Sequence, residues 1–540
     1  MTEDSRESKL KNKFEPLNKK RLGIKLVVLA VIIGVMYVWR PLFHYFIYGG
    51  LYSTTGVIAF TVPALTAIAL FLLPPFKTDK RSDPSSFKKV SIVGILLVVL
   101  LFVGIVAAFP AGWSEGASLA TSTMAATDTI DDLPQTNPDN PRIIPRAVAD
   151  KQTRGSTSYR QYQLGPSDIA RAENGDLTWS YSIQPDQLMN QIQANQQGVL
   201  LSGMTTMENR TITAYDDQPF THGQNMLLHR GADWNLKKGD YFVRYEDDPI
   251  EFTHNGEAYM HYPKTGHQWK LFPFPHTVPT WEGNALVHQN GTIEHLTPEE
   301  AQNNEILDGQ RLYPLYNSEK RAESLEYRNG ILNQMPVIGQ YKKVVVPADV
   351  PSGTGNSQPF VIDLKSEQMT YVYAMEPPGA SSSGLDEVWF FNAETGESRH
   401  FGTGDETVFG PERAMGLIRS EDSRTGWGEN FEVVEPVPTA IDGELYWHAK
   451  VVPVDNTDVS RSAFVNAHDG TVVEFETTEN IRTFIRDAEI NDIPSDADTE
   501  TEPAPDEPDV SYYVVVTDSN GEEIDRIAIE PGQEITIEQP

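Results

Sequence analysis

The side chains best suited to chemistry are four histidines, His254, His261, His267 and His276, in a region that also holds Asp247 and Asp248. The 540-residue chain has no cysteine, so disulfides, thiolate metal sites and cysteine nucleophiles are excluded, and a metal would need His or oxygen ligands. The histidines do not follow HExxH or comparable spacing. On a strand, His261 shares its face with Tyr259 and Pro263, so no second ligand converges locally, and the four read as ordinary hydrogen-bonding histidines. His468 and Asp469 sit just before Gly470 in an expected turn, where an aspartate bonds its own backbone, a structural role more than a catalytic dyad. GxSxG is absent, Ser85-x-x-Lys88 lies in a short basic loop, and PSGTGNSQP at 351–359 lacks the lysine of a phosphate-binding loop. No catalytic, metal-binding or cofactor-binding residue is assigned, and no cofactor is expected. Two sequons, at Asn209 and Asn290, are the candidate glycosylation sites.

The elements that must carry these residues begin with three apolar stretches, about 22–48, 51–76 and 90–110, each long enough for a helix across about 30 Å of hydrocarbon. The basic arm 1–21 and the loop with Lys77, Lys80, Arg81, Lys88 and Lys89 belong on the cytoplasmic side, while the turn at Gly49 and Gly50 is uncharged. Three spans therefore put the amino terminus inside and residues 111–540 outside. Arg40 and His44 interrupt the first stretch; with Trp39, Pro41, Tyr45 and Tyr48 they read as an interfacial anchor, not an ion site.

Residues 1–110 hold 14 Lys/Arg and 6 Asp/Glu, so the other 430, with 29 and 70, carry a net charge of −41. Only 10 of those 29 bases are lysine. Excess carboxylate with little lysine suits solvation in concentrated salt, where screening relieves self-repulsion, and the pattern resembles proteins of extremely halophilic archaea. The same field repels nucleic acid, which is not expected as a partner.

Residues 111–140, rich in Ala, Ser, Thr, Asp and Pro, read as a stalk. Beyond it, many short aromatic and β-branched runs, such as the alternating LTWSYSI at 177–183, and helical runs from Thr297, Asn317, Gly410 and Thr478, the first and last with Thr as the cap, predict a large α+β ectodomain dominated by antiparallel sheet, divided into 141–335 and 336–486. The run FFNAETGES, around Asn392 and Gly396, recurs 74 residues later as FVNAHDGTV, around Asn466 and Gly470, each following a tyrosine-containing strand at Tyr371 or Tyr446. Both predict a hairpin in which glycine takes the positive φ of the turn. The helix GPERAMGLI, the strand ELYWHAKVVPV and this closing hairpin resemble PepSY-like repeats over about 340–486, although both copies have Asn where that family usually has Asp. The resemblance implies tandem small α+β modules of an envelope-associated or secreted protein, often with binding or peptidase-regulating roles.

The acidic, Pro-rich stretch 487–510 reads as a linker, and 511–540 as a β-hairpin about Ser519, Asn520 and Gly521. The whole predicts a membrane-anchored α+β protein in the cell membrane, multi-pass and non-enzymatic, whose partners are the bilayer and an envelope protein, a surface glycan or a second copy. A membrane-tethered hydrolase and a regulatory subunit of a transport or secretion complex are the alternatives.

Overall fold

The computed structural model describes residues 19–72, 85–208, 210–334, 344–348, 350, 357–365, 369–379, 384–404, 408–421, 425–488, 512–517 and 523–529. The protein is α+β, with antiparallel sheets predominating. Residues up to Ala488 form one compact unit.

Three uninterrupted spans are not what the apolar stretches form. Among the described residues one helix, Lys19–Val38, is long and apolar enough to cross a membrane, and none of its residues is buried. The first stretch breaks at Trp39 because Pro41 has no N–H to continue the ladder and is accommodated in the first turn of a new helix, Arg40–Leu51. At 12 residues, or about 18 Å, this elbow helix is too short to span. It buries Pro41, His44 and Gly50 and exposes Leu42, Tyr45 and Phe46. A bend of 102° separates it from the limb Thr54–Ile68. The third stretch lies inside a 41-residue helix, Ser85–Ala125, that runs on past Pro110.

That continuation replaces the expected stalk. Leu119 and Ala120 are buried, and Gly116 lies so close to the Tyr327 ring that a Cβ would stand 2.4 Å from it. The helix hands over directly to a strand, Thr127–Ile130, paired in parallel with Ser398–Gly402 at the edge of a sheet. Beyond it the Thr136 amide donates to the Ala440 carbonyl (3.2 Å), and the buried Asn140 donates to the Asp363 carboxylate (2.8 Å).

A first sheet lies within 162–215; its central strand, Leu177–Pro185, is buried along its length. A second is built on a long hairpin, Glu257–Lys270 with His276–His288. Two further sheets carry the sequence repeat. In one, Met369–Glu376, Glu387–Asn392 and Ser398–Gly402 are successive antiparallel neighbours; in the other, Glu444–Pro453, Arg461–Asn466 and Val472–Phe475 are. The two turns match atom for atom. The Asn392 side-chain oxygen accepts from the amides of Glu394 and Thr395, and that of Asn466 from His468 and Asp469. Gly396 and Gly470 follow at φ +75 and +79. Register corrects the sequence alignment: Asn392 faces Thr370 whereas Asn466 faces Tyr446, so Tyr371 corresponds to Trp447.

These halves are not independent modules. Val372, Val388 and Phe390 of one sheet share a hydrophobic core with Trp447, Ala449 and Val465 of the other, and with Ala414 and Ile418 of helix Pro411–Glu421. Nor does the chain divide near 335. Glu435, at φ +46 beside a register shift in strand Phe431–Ile441, turns its carboxylate to Arg142, accepting from Nη2 at 2.8 Å and Nε at 3.1 Å, and to the Arg146 amide at 2.9 Å. The side chains of Arg142 and Glu435 are 1 % and 0 % exposed. Beside them Lys450 is fully buried; desolvation lowers its pKa to about 7, against the attraction of Glu435.

The predicted helices at Thr297, Asn317, Gly410 and Thr478 all form, as Pro298–Gln302, Leu315–Ser324, Pro411–Glu421 and Thr478–Asp487. The last is capped by Thr477, one residue before the expected cap, while the Thr478 hydroxyl donates to Glu208. The carboxy-terminal unit, 489–540, contains the expected hairpin as Tyr512–Thr517 paired with Glu523–Ile529; its turn residues and residues 489–510 of the acidic linker lie outside the described residues, while Asp487 belongs to the preceding helix.

Glu435→Ala strands two buried cations and is expected to cost about 3–5 kcal/mol in denaturant unfolding. The turn glycines give a graded series. At Gly175 (φ +90) an added Cβ meets nothing within 4 Å, at Gly470 it meets Phe409 at 3.0 Å, and at Gly396 the Tyr313 ring at 2.4 Å. Alanine should therefore destabilise in the order Gly396, Gly470, Gly175, the last by only the backbone cost of about 1–2 kcal/mol.

Candidate functional site

The elbow helix is bonded to the β-domain along its whole length. Arg40 donates to the Lys238 carbonyl, His44 Nε2 lies 3.0 Å from the Val243 carbonyl, and the Trp269 indole donates to the Leu51 carbonyl at 3.0 Å. Arg40 and His44, expected as an interfacial anchor, are thus ligands of the domain. Between helix and domain lies a cavity of about 580 Å³, and a neighbouring one of about 290 Å³ shares Arg244, Glu246, Asp247 and Tyr316 with it.

The larger cavity is lined by tyrosine rings and a few polar groups. Tyr48 and Tyr52 have ring centroids 4.9 Å apart, and the Arg244 guanidinium lies 4.0 Å over the Tyr316 ring. The Tyr48 hydroxyl lies 2.6 Å from His267 Nδ1. Burial, then the Arg244 charge, lower the His267 pKa to about 4, so its ring is neutral at pH 7 and Nδ1 can accept the tyrosine proton. Glu246 is held by the Tyr316 amide, which donates to Oε1 at 3.1 Å. Its burial outweighs that bond and the Arg244 charge and raises its pKa from 4.5 to about 7. In the smaller cavity Arg311 is paired with Asp168, donates from Nε to the Ile169 carbonyl (2.9 Å) and reaches the Tyr371 hydroxyl (3.5 Å). The arrangement offers ring faces for an apolar surface, fixed cations, a neutral imidazole and a carboxyl that exchanges its proton near neutrality.

Of the sequence-selected residues, the structure brings His267 and Asp247 into the larger cavity and Asp247 and Asp248 into the smaller. His261 is fully buried in the second sheet, 5.6 Å from the Phe252 ring, and burial pushes its pKa down to about 3. His276 is spent on the Phe274 carbonyl (2.7 Å) and the Ser118 hydroxyl (2.8 Å), and His254 ends a strand at the Asn255–Gly256 turn. Among the described residues no group of three or more His, Asp or Glu is placed to hold a metal. In the second repeat turn the Thr471 amide donates to Asp469 Oδ1 (2.8 Å). Asn290 is exposed in a turn in which its Oδ1 accepts from the Thr292 amide (2.8 Å); Asn209 lies outside the described residues. Sequence reading missed Arg244, Glu246, Tyr52 and Tyr316, which come from separate segments and share no periodicity.

No family model, curated protein or solved structure matches the chain.

Glu251 extends the same electrostatic pattern beneath the first sheet. It is fully buried, accepts from the Ser180 hydroxyl at 3.1 Å, and desolvation followed by repulsion from Asp168 raises its pKa from 4.5 to about 8. Glu246 and Glu251 both hold their protons more tightly folded than unfolded. The stability they contribute is complete below about 4.5 and is lost as pH rises through about 7 and about 8. His261, His267 and Lys450, whose protons are held less tightly folded than unfolded, oppose this trend, so the expected effect is a difference: the thermal midpoint of the wild type minus that of Glu251→Gln should fall as pH rises from about 4.5 to about 8, as measured by scanning calorimetry.

Proposed function

We propose that the chain is a membrane-anchored cell-surface protein whose acidic α+β domain, residues 111–540, stands outside and binds a surface glycan without catalysing a reaction of its own. In this reading the amino terminus is cytoplasmic and the anchor has three passes: Lys19–Val38 outward, the limb ending in Val62–Leu72 inward and Ser85–Ala125 outward. Two contacts support that order. Lys25, near the start of the first helix, donates to the Phe71 carbonyl at the end of the second limb, and Gly104 of the long helix packs against Ile58. The basic residues flanking these ends favour the cytoplasmic side.

The observation that carries the binding reading is the tyrosine-lined cavity beneath the elbow helix. Tyr48, Tyr52 and Tyr316 offer ring faces to the C–H faces of a sugar, and Arg244, Glu246 and Asp247 offer donors and acceptors to its hydroxyls. PepSY-like modules fit the same reading. What supports them is the succession of a helix, an antiparallel meander and an Asn-to-Gly hairpin, most complete in the second half. A hydrolase is favoured by one observation, the Glu246 carboxyl raised to about 7 in the cavity that His267 also lines. Of His261, His267 and His276, only His267 reaches that cavity.

The test uses the full chain in detergent at high salt, titrated calorimetrically with envelope glycans. Tyr52→Ala and Tyr316→Ala should each weaken binding by about tenfold, within the usual range for a lost aromatic anchor. Turnover of a peptide or glycosidic bond that Glu246→Gln abolishes would replace this reading with the hydrolase. Protease applied to intact cells in their native salt should release peptides from beyond Ala125 and spare residues 1–90; protection until lysis would reverse the orientation.

A further inference from the structure

The loop 271–275 joins the two strands of the long hairpin and reads Leu-Phe-Pro-Phe-Pro, with no charged residue. Its side chains turn outward: Leu271 is 76 % exposed, Phe272 86 % and Phe274 50 %. Isolated exposed apolar residues are ordinary, but three on five residues of a strongly acidic domain are not.

The surroundings of the loop say what covers it. Thr54, where the second apolar limb begins, donates its hydroxyl to the Pro275 carbonyl at 2.6 Å. The Trp269 indole bonds the Leu51 carbonyl at 3.0 Å, and the Thr277 hydroxyl bonds the Tyr52 carbonyl at 2.9 Å. Both ends of the loop are thus tied to residues 51–54, the turn between the elbow helix and that limb. His276 fastens it a third time, with one ring nitrogen at the Phe274 carbonyl and the other at Ser118 of the long helix. On the elbow helix itself Tyr45 is 81 % exposed.

We propose that loop 271–275 inserts Leu271, Phe272 and Phe274 into the outer leaflet of the bilayer, as a second membrane contact that fixes the tilt of the domain over its helices. The inference rests on the membrane-anchored reading. Lipid is the occupant that the tethers favour, because the loop is bonded to the turn where that reading has the chain leave and re-enter the hydrocarbon. Insertion is driven by the hydrophobic effect, so it persists in concentrated salt, where an electrostatic contact would be screened.

The cysteine-free chain allows a direct test by single-cysteine labelling of the full protein. Leu271→Cys and Phe272→Cys, with Val31→Cys on the anchor helix and Asn290→Cys at the far end of strand His276–His288, are each labelled with an environment-sensitive fluorophore. All are reconstituted in phosphatidylcholine vesicles with plain or acyl-brominated chains. The 13-residue strand sets Asn290 roughly 40 Å from the loop. Brominated lipid should quench the labels at 31, 271 and 272 at least twofold, at low and at high salt, and leave the label at 290 unchanged. Quenching at 31 without quenching at 271 or 272 overturns the insertion while the anchor stands. No quenching at 31 overturns the anchored reading itself. Emission at 272 that depends on protein density and not on bromine assigns the loop to a second copy and overturns lipid as the occupant.

Discussion

Among the contacts that join the two ends of the β-domain, the most deeply buried is made by one carboxylate. Glu435 serves Arg142, the Arg146 amide and the neighbourhood of Lys450 at once, in a pocket that water does not reach. Ionised groups taken out of water are costly unless fully paired, so the site tolerates few substitutions and demands one backbone geometry. Strand Phe431–Ile441 supplies it by shifting register and placing Glu435 at φ +46, a strained conformation for a non-glycine residue. Local strain is exchanged for a long-range tie between residue 142 and residue 435, and the shared core of the repeat sheets closes around it.

The second organising contact is the seam between elbow helix and long hairpin. It positions Tyr48 and Tyr52 opposite His267 and Arg244, creating a cavity whose walls belong to distant parts of the chain. Burial at that seam shifts acids and bases in opposite directions: it raises Glu246 and lowers His267. Both are pushed toward their neutral forms, which leaves Arg244, the Lys237–Asp233 ion pair and the exposed Asp247 to set the local field. A mixed field with neutral donors suits a polyhydroxylated or zwitterionic ligand better than a multiply charged one.

Much of the fold was legible because it rests on local rules. Thr297 and its capping glutamate, the Asn-to-Gly turns and the alternation of LTWSYSI each encode their conformation within about ten residues. In the sequence the helix end at Trp39, Arg40 and Pro41 reads as a membrane interface and the stretch as one span, since a 27-residue apolar run satisfies the length criterion whether or not Pro41 divides it. Residues 111–125 were misread for a related reason: small residues have weak preferences of their own, and here burial against Tyr327 and the helix Leu315–Ser324 decides for helix. The site was less legible than the fold. Histidine spacing drew attention to His261 and His276, whose roles are structural, while Glu246 looked like one carboxylate among 70. What distinguishes it is desolvation, a property of three-dimensional packing.

The parallel strand that follows the long helix has a consequence for how the protein is made. Thr127 pairs with Ser398, 271 residues further along the chain. During synthesis the segment just after the helix emerges without its partner and waits roughly 14–54 s for it, at about 5–20 residues per second. Until then an open strand edge and the apolar faces of half-built sheets are presented together. Such non-local closure is slow and leaves the nascent chain dependent on whatever shields that edge.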